Sequence, residues 1–358
     1  MKPKYSIKNR CMICGDYNMS SSTDDYKKSS KSIKSSLIKW GLILCLLVFA
    51  CIKNRKFMGE AMEYLMDTSP TAIILCLILG NMYFVLEGAI ISKMTASEST
   101  PLTLWNGICC TYMCAFYRLA TLGSGNGIAQ IYYYSTKGID ADRATGMTIT
   151  QYTFQKITIG IFGTVSFILL FLTGDRDILQ YSGYMLAGVF VISVICLALF
   201  LIAVSKKISA FVMMLGYRLF KPGTKLHARL SDAQNAIDNL QNQGLKLWKN
   251  KSLFFHVAAL NIIKLACWYA IPGVFFHSDY GVNVLFCLAL MAVVNMLGCV
   301  MLAPSGVGTL DFVFAIFFGA IIPDDNAVAA AIVIYRFFTW VMPFIIGLIP
   351  ALLLNRKK

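Results

Sequence analysis

Apolar residues along this chain gather in long blocks separated by short polar breaks. The blocks run approximately 37 to 52, 70 to 91, 102 to 122, 149 to 172, 178 to 204, 253 to 276, 282 to 302, 309 to 322 and 327 to 354. A hydrocarbon core of ~30 Å takes ~20 helical residues to cross, so blocks of this size predict membrane-spanning helices. The block 309 to 322 has only 14 residues and predicts a half-helix. Composition agrees: 57% of the 358 residues are apolar or aromatic and 14% are charged, against ~45–50% and ~25% in soluble domains. The fold class expected is an all-α polytopic membrane protein.

Charge then decides how the blocks are threaded. Residues 1 to 39 carry nine Lys/Arg, residues 205 to 252 carry nine against Asp232 and Asp238, and the chain closes on Arg356, Lys357 and Lys358. Basic segments beside spans belong in the cytoplasm, which makes nucleic acid the weaker account of the net charge of +14. If every block but the short one crossed, the loop 205 to 252 would lie outside. Parity is restored when 102 to 122 enters, turns at Gly123-Ser-Gly-Asn-Gly127 and returns through Ile128 to Tyr134. By the same logic 282 to 302 runs into Pro304-Ser-Gly-Val-Gly308, and 309 to 322 returns towards the acidic Asp324 and Asp325. The expected topology is six full crossings plus two re-entrant, glycine-broken hairpins. Their opposite orientation suggests an inverted repeat with a site near the membrane midplane.

The remaining segments predict less. Residues 1 to 36 are rich in serine and lysine and too poor in apolar residues to form a core, so they read as a disordered cytoplasmic tail, with 355 to 358 as a second basic tail. Leu226, Leu230, Ala233, Ile237, Leu240 and Leu247 recur at helical spacing within the loop 205 to 252 and predict an amphipathic helix that caps the bundle, with a membrane-surface anchor or partner helix as the alternative. Ten of the twelve cysteines lie inside apolar blocks and read as small hydrophobes. Cys11 and Cys14 form one C-x-x-C pair without the further ligands that zinc needs. The long polar lead before the first block argues against a cleaved signal, so that block reads as a retained anchor.

Candidate chemistry sits where the blocks are broken or charged. Backbone that is not helical at membrane depth is tolerated where it is buried in protein or lines a cavity, so both glycine turns point towards one. Each turn starts a helix whose free N–H groups and positive dipole end suit an anionic group. Gly125, Gly127 and Gln130 in the first hairpin, and Gly306 and Gly308 in the second, are therefore candidate substrate-binding residues. Glu87, Arg118, Lys156, Lys264, Asp311 and Arg336 lie in or near apolar blocks, where a charge costs at least ~2.5–3.5 kcal/mol at mid-depth. All of these but Lys156 join the binding set; Lys156 and Glu87 have an alternative as residues that snorkel to the interface. Arg336 has one too, as the partner that holds Asp311. No metal or cofactor is expected: His227, His256 and His277 are scattered, and no nucleophile motif fits its setting.

Three stretches carry a resemblance to a known family. They are residues 122 to 134, with Gly123, Gly125, Gly127 and Gln130, followed by Lys137-Gly-Ile139; then Pro304-Ser-Gly-Val-Gly308 with Asp311; and last Tyr335-Arg336 followed by Pro343 and Gly347. In this order they resemble the transmembrane domain of the lysylphosphatidylglycerol synthase/flippase family, over about residues 37 to 354. The resemblance implies a bacterial cell-membrane protein with both termini cytoplasmic that handles a phospholipid, aminoacylated or not, or a lipid-linked headgroup. The large soluble domain that performs aminoacyl transfer in the two-part synthases is not expected in residues 1 to 358.

The leading expectation is thus a lipid flippase. Hairpin helix starts with Arg118, Lys264 or Arg336 would take phosphate, and Asp311 with Glu87 would take a cationic group. The alternatives are a phosphatidylglycerol lysyltransferase completed by a separate lipid-modifying enzyme, with a part in resistance to cationic peptides, and a small-solute transporter. Expected partners are membrane phospholipid, that separate enzyme and further copies of the chain, with no nucleic acid.

Overall fold

The computed structural model describes residues 68 to 300 and 308 to 355, apart from 122, 124 and 220 to 224, together with 63 and 66. The expected tail 1 to 36, the first crossing 37 to 52, Cys11, Cys14, Pro304, Ser305 and Gly306 lie outside the described residues.

The described residues form helices and no strands. In chain order these are α1 (Pro70–Met94), α2 (Leu104–Ala120), α3 (Asn126–Thr136), α4 (Ala141–Thr173), α5 (Arg176–Leu179), α6 (Ser182–Val204), α7 (Lys206–Leu219), α8 (Lys225–Lys249), α9 (Lys251–Tyr280), α10 (Val284–Val300), α11 (Thr309–Gly319) and α12 (Asp325–Arg336). A π-helical turn, Phe337–Val341, joins α12 to α13 (Met342–Asn355). Local chemistry sets many of the ends. Pro70 opens α1 at a position whose N–H would have no helical partner anyway. The side chains of Thr103, Asn250 and Asp324 accept first-turn N–H groups of α2, α9 and α12. Gly174 and Gly281 close α4 and α9 in the left-handed conformation.

Five helical stretches are long and apolar enough to cross a membrane: 70–94, 141–173, 182–204, 251–280 and 325–354. The protein is therefore a multi-pass, all-helical membrane protein. Between them the order of one long helix, a 17-residue helix, an 11-residue helix and another long helix occurs twice, as α1 to α4 and again as α9 to α13. An 11-residue helix rises ~16 Å, about half the hydrocarbon thickness. These are the places where the glycine-broken hairpins are expected. Gly123, at φ 100°, makes the turn between α2 and α3.

Packing explains which faces are buried. Helix α1 lies against α9 and α2, α2 against α13, and α10 against α9, α4 and α11. At the crossing of α1 and α2, Gly88 and Gly107 meet backbone to backbone, and a Cβ on either would collide with the other helix. By contrast α6 leaves Leu186, Phe190 and Leu197 exposed. A helix apolar all round and largely unburied is suited to lipid contact.

The loop 205 to 252 holds more helix than its pattern suggests. The amphipathic helix expected from Leu226 to Leu247 is α8. Ahead of it lies α7, a second helix not anticipated, because its short apolar stretch Phe211 to Leu215 is flanked by Lys206, Lys207 and Arg218 and reads as loop. The block expected at 178 begins instead as the short α5, ended before α6 starts at Ser182.

Candidate functional site

A chain of buried polar groups crosses the interface between α1 and α9. Lys264 of α9 is completely buried and its Nζ donates to Glu87 Oε2 of α1 and, at 2.8 Å, to Asn261 Oδ1. The other Glu87 oxygen accepts from Gln151 Nε2 of α4 at 2.6 Å. Gln130 Nε2 of α3 then donates to Gln151 Oε1 at 2.7 Å and to the Tyr134 hydroxyl at 2.8 Å. The ammonium also lies 5.3 Å from the centre of the Tyr83 ring. A buried carboxylate and ammonium are tolerated because each is paired and hydrogen-bonded further. Glu87 therefore does not snorkel to the interface, and its two oxygens are engaged within the protein.

This chain borders a cavity of about 180 Å³, walled by Glu87, Gln130, Tyr152, Gln155, Arg118 and Lys156 among others, with Asn126 at the start of α3. Arg118 reaches it from the last turn of α2. Its guanidinium donates to Thr339 O at 3.0 Å and faces the rings of Trp268 and Trp340 at 6.0 and 5.4 Å. Thr339 O is open to such a donor for a local reason: Pro343, four residues on, has no N–H to give it. The π-helical turn falls at this point, as such turns often do at functional sites. Lys156 Nζ lies 3.4 Å from Cys299 Sγ. Among the described residues neither Arg118 nor Lys156 forms an ion pair. Within the cavity wall the carboxylate is thus neutralised by Lys264, while two cations are left without a counter-ion. The cavity wall therefore carries a net positive charge among the described residues.

The second broken hairpin holds a separate pair. Asp311, in the first turn of α11, takes both Arg336 Nε at 2.7 Å and an Arg336 terminal nitrogen at 2.9 Å. Its Oδ2 also accepts the Gly308 N–H at 3.1 Å, which caps α11. The Arg336 guanidinium faces Trp340 at 4.7 Å, so one indole receives Arg336 and Arg118 and links the two clusters.

Of the residues singled out from sequence, Glu87, Arg118 and Gln130 line one cavity, and Lys264 lies directly behind it. The Gly125 N–H is taken by Thr121 Oγ1 at 2.6 Å, so that amide is not free for a ligand. A Cβ on Gly127 would meet Tyr152 and Thr148 at ordinary contact distances, which gives no steric reason for glycine there. Asp311 and Arg336 pair with each other, the anchoring alternative. The idea that Glu87 and Asp311 stand ready for a cationic group meets the fact that each already holds an internal cation. Gln151, Gln155, Tyr152, Trp268 and Trp340 were not singled out. Gln151 and Gln155 do stand one turn apart in an apolar block, and that spacing was the available signal.

The anchoring geometry has a measurable consequence. Asp311→Asn is expected to lower stability by about 1–3 kcal/mol, less than for a fully buried pair because the side chains are 28% and 18% exposed. Asp311→Asn combined with Arg336→Gln should regain much of that loss. Thermal unfolding in detergent checks it; a double variant no more stable than Asp311→Asn alone would leave the pair without this role.

Comparison with known proteins adds one finding. The family description Lysylphosphatidylglycerol synthase TM region matches residues 36–347. No curated protein matches the chain.

Proposed function

Since the chain belongs to the lysylphosphatidylglycerol synthase transmembrane-region family, we propose that it moves an anionic phospholipid or lipid-linked headgroup across the bacterial cell membrane, with the phosphate received in the cavity of Arg118 and Lys156. The observation that carries this reading is the pair of cations lining that cavity without an ion-pair partner among the described residues, the carboxylate of Glu87 in the same wall being held by Lys264. The start of α3 adds its positive dipole end at Asn126. In a low-dielectric setting a phosphate between two cations gains far more than it would in water.

Size limits what enters. A water needs roughly 10–15 Å³ of such space, so a cavity of about 180 Å³ admits on the order of a dozen water-sized groups. That is the scale of a phosphate with its glycerol, and the acyl chains would remain in the bilayer beside lipid-facing helices such as α6. Asn126, Gln130 and Gln155, which line the same cavity, then provide neutral polar groups for the rest of the headgroup.

Reconstitution into liposomes tests the reading. Fluorescent phosphatidylglycerol and its lysyl ester should cross faster with the protein than in empty liposomes, and a glycolipid without phosphate should not. Equal acceleration of the phosphate-free lipid, or none of any lipid, would count against it. Leakage of small soluble anions without lipid movement would favour a solute transporter.

A further inference from the structure

A second cavity, of about 840 Å³, opens where α8 ends and α9 begins. Lys246, Lys249 and Lys251 line it together with Gln243, while Met94 and Met147 contribute apolar wall. No Asp or Glu lines it, and none of the three ammonium groups forms an ion pair among the described residues.

Ordinary helix chemistry accounts for two of these lysines and not the third. Lys246 and Lys249 occupy the last turn of α8, where the negative end of the helix dipole favours cations. Lys251 is the first residue of α9, at the positive end, and stands among like charges. Three cations and a helix start therefore face one volume that holds no protein anion. That volume lies within the ~300–1,000 Å³ of small-molecule sites.

The surroundings say which anion. Trp248, between the lysines in sequence, is 58% exposed, and Phe255 is 67% exposed one turn into α9. Tryptophan left in the open beside lysines is the signature of the headgroup level of a bilayer. The methionine wall suits the start of an acyl chain. Met94 lies seven residues beyond Glu87 on α1, and Met147 four residues before Gln151 on α4, so the cavity sits ~6–10 Å along those helices from the buried polar chain.

We infer that this cavity docks the phosphate of an anionic phospholipid from the adjoining leaflet, at a site separate from the cavity of Arg118. Its existence does not depend on lipid transport. The test uses the full chain in neutral detergent and follows its unfolding temperature as phosphatidylglycerol or phosphatidylcholine is added, because a ligand of the folded state raises that temperature with concentration. Phosphatidylglycerol should act at lower concentration than phosphatidylcholine. Each lysine near an anionic surface is worth about fivefold in affinity, so Lys246→Gln/Lys249→Gln/Lys251→Gln should need on the order of 100-fold more phosphatidylglycerol. The corresponding triple change to arginine should behave as the native chain, and Arg118→Gln should keep the lysine-dependent part of the shift. Identical titrations of the native chain and the triple glutamine variant would overturn the inference. So would equal action of the two lipids, or an equal shift from inorganic phosphate at the same concentration. Loss of the shift in Arg118→Gln, with the triple variant unaffected, would assign the lipid to the membrane cavity instead.

Discussion

Lys264→Met is expected to destabilise the folded protein by about 3–5 kcal/mol, and Glu87→Gln with Lys264→Met to recover most of the loss. Lys264 is wholly buried and Glu87 is 13% exposed, so removing the ammonium leaves a carboxylate with no cation and little water. Gln151 still donates to one Glu87 oxygen, and one neutral donor cannot replace a charge partner. In the double variant no charge remains, and a thioether and an amide occupy nearly the same volumes beside Asn261 and Tyr83. Because α1 and α9 are the long helices that open the two repeated helix series, the pair ties the series together, and its rupture should be felt globally. Unfolding in detergent decides the matter: equal loss in the single and the double variants would mean that packing, not the unpaired charge, sets the cost.

Arg118→Gln is expected to weaken anionic lipid transport by about 10- to 100-fold in apparent affinity, the range for losing a hydrogen bond to a charged group. Glutamine can still donate to Thr339 O, so the fold should largely survive. Arg118→Lys keeps the charge but loses the planar fork and the stacking against two indoles, and should fall between the two. If Arg118 only caps Thr339 O, the outcome differs: Arg118→Gln would lower the unfolding temperature while transport per folded molecule stayed unchanged. Measuring both quantities on the same preparations separates these cases. Retained transport would remove Arg118 from the binding site.

The sequence alone determined the helices and the suspect residues. Apolar runs of spanning length become helices, as 70 to 91 does in α1, although α4 begins eight residues ahead of its run, and the amphipathic pattern from Leu226 to Leu247 becomes α8. The glycine-rich run that starts at 123 separates α2 from α3 because Gly123 takes a positive φ that a helix does not contain. Glu87, Arg118, Lys264, Asp311 and Arg336 stood out because an ionised group inside an apolar block is too costly to be incidental. The tertiary structure alone decided which charge answers which. Glu87 and Lys264 are 177 residues apart, and no pattern in either helix announces the other. Among the uncharged members only the spacing of Gln151 and Gln155 left a trace, and Asn261 left none, since a neutral polar side chain in a long apolar helix barely alters its hydropathy. Burial preference is a property of one residue and its neighbours along the chain, so it can be read in order. Pairing is a property of two residues, fixed only when α1 packs on α9 and the π-helical turn carries Trp340 between two guanidinium groups.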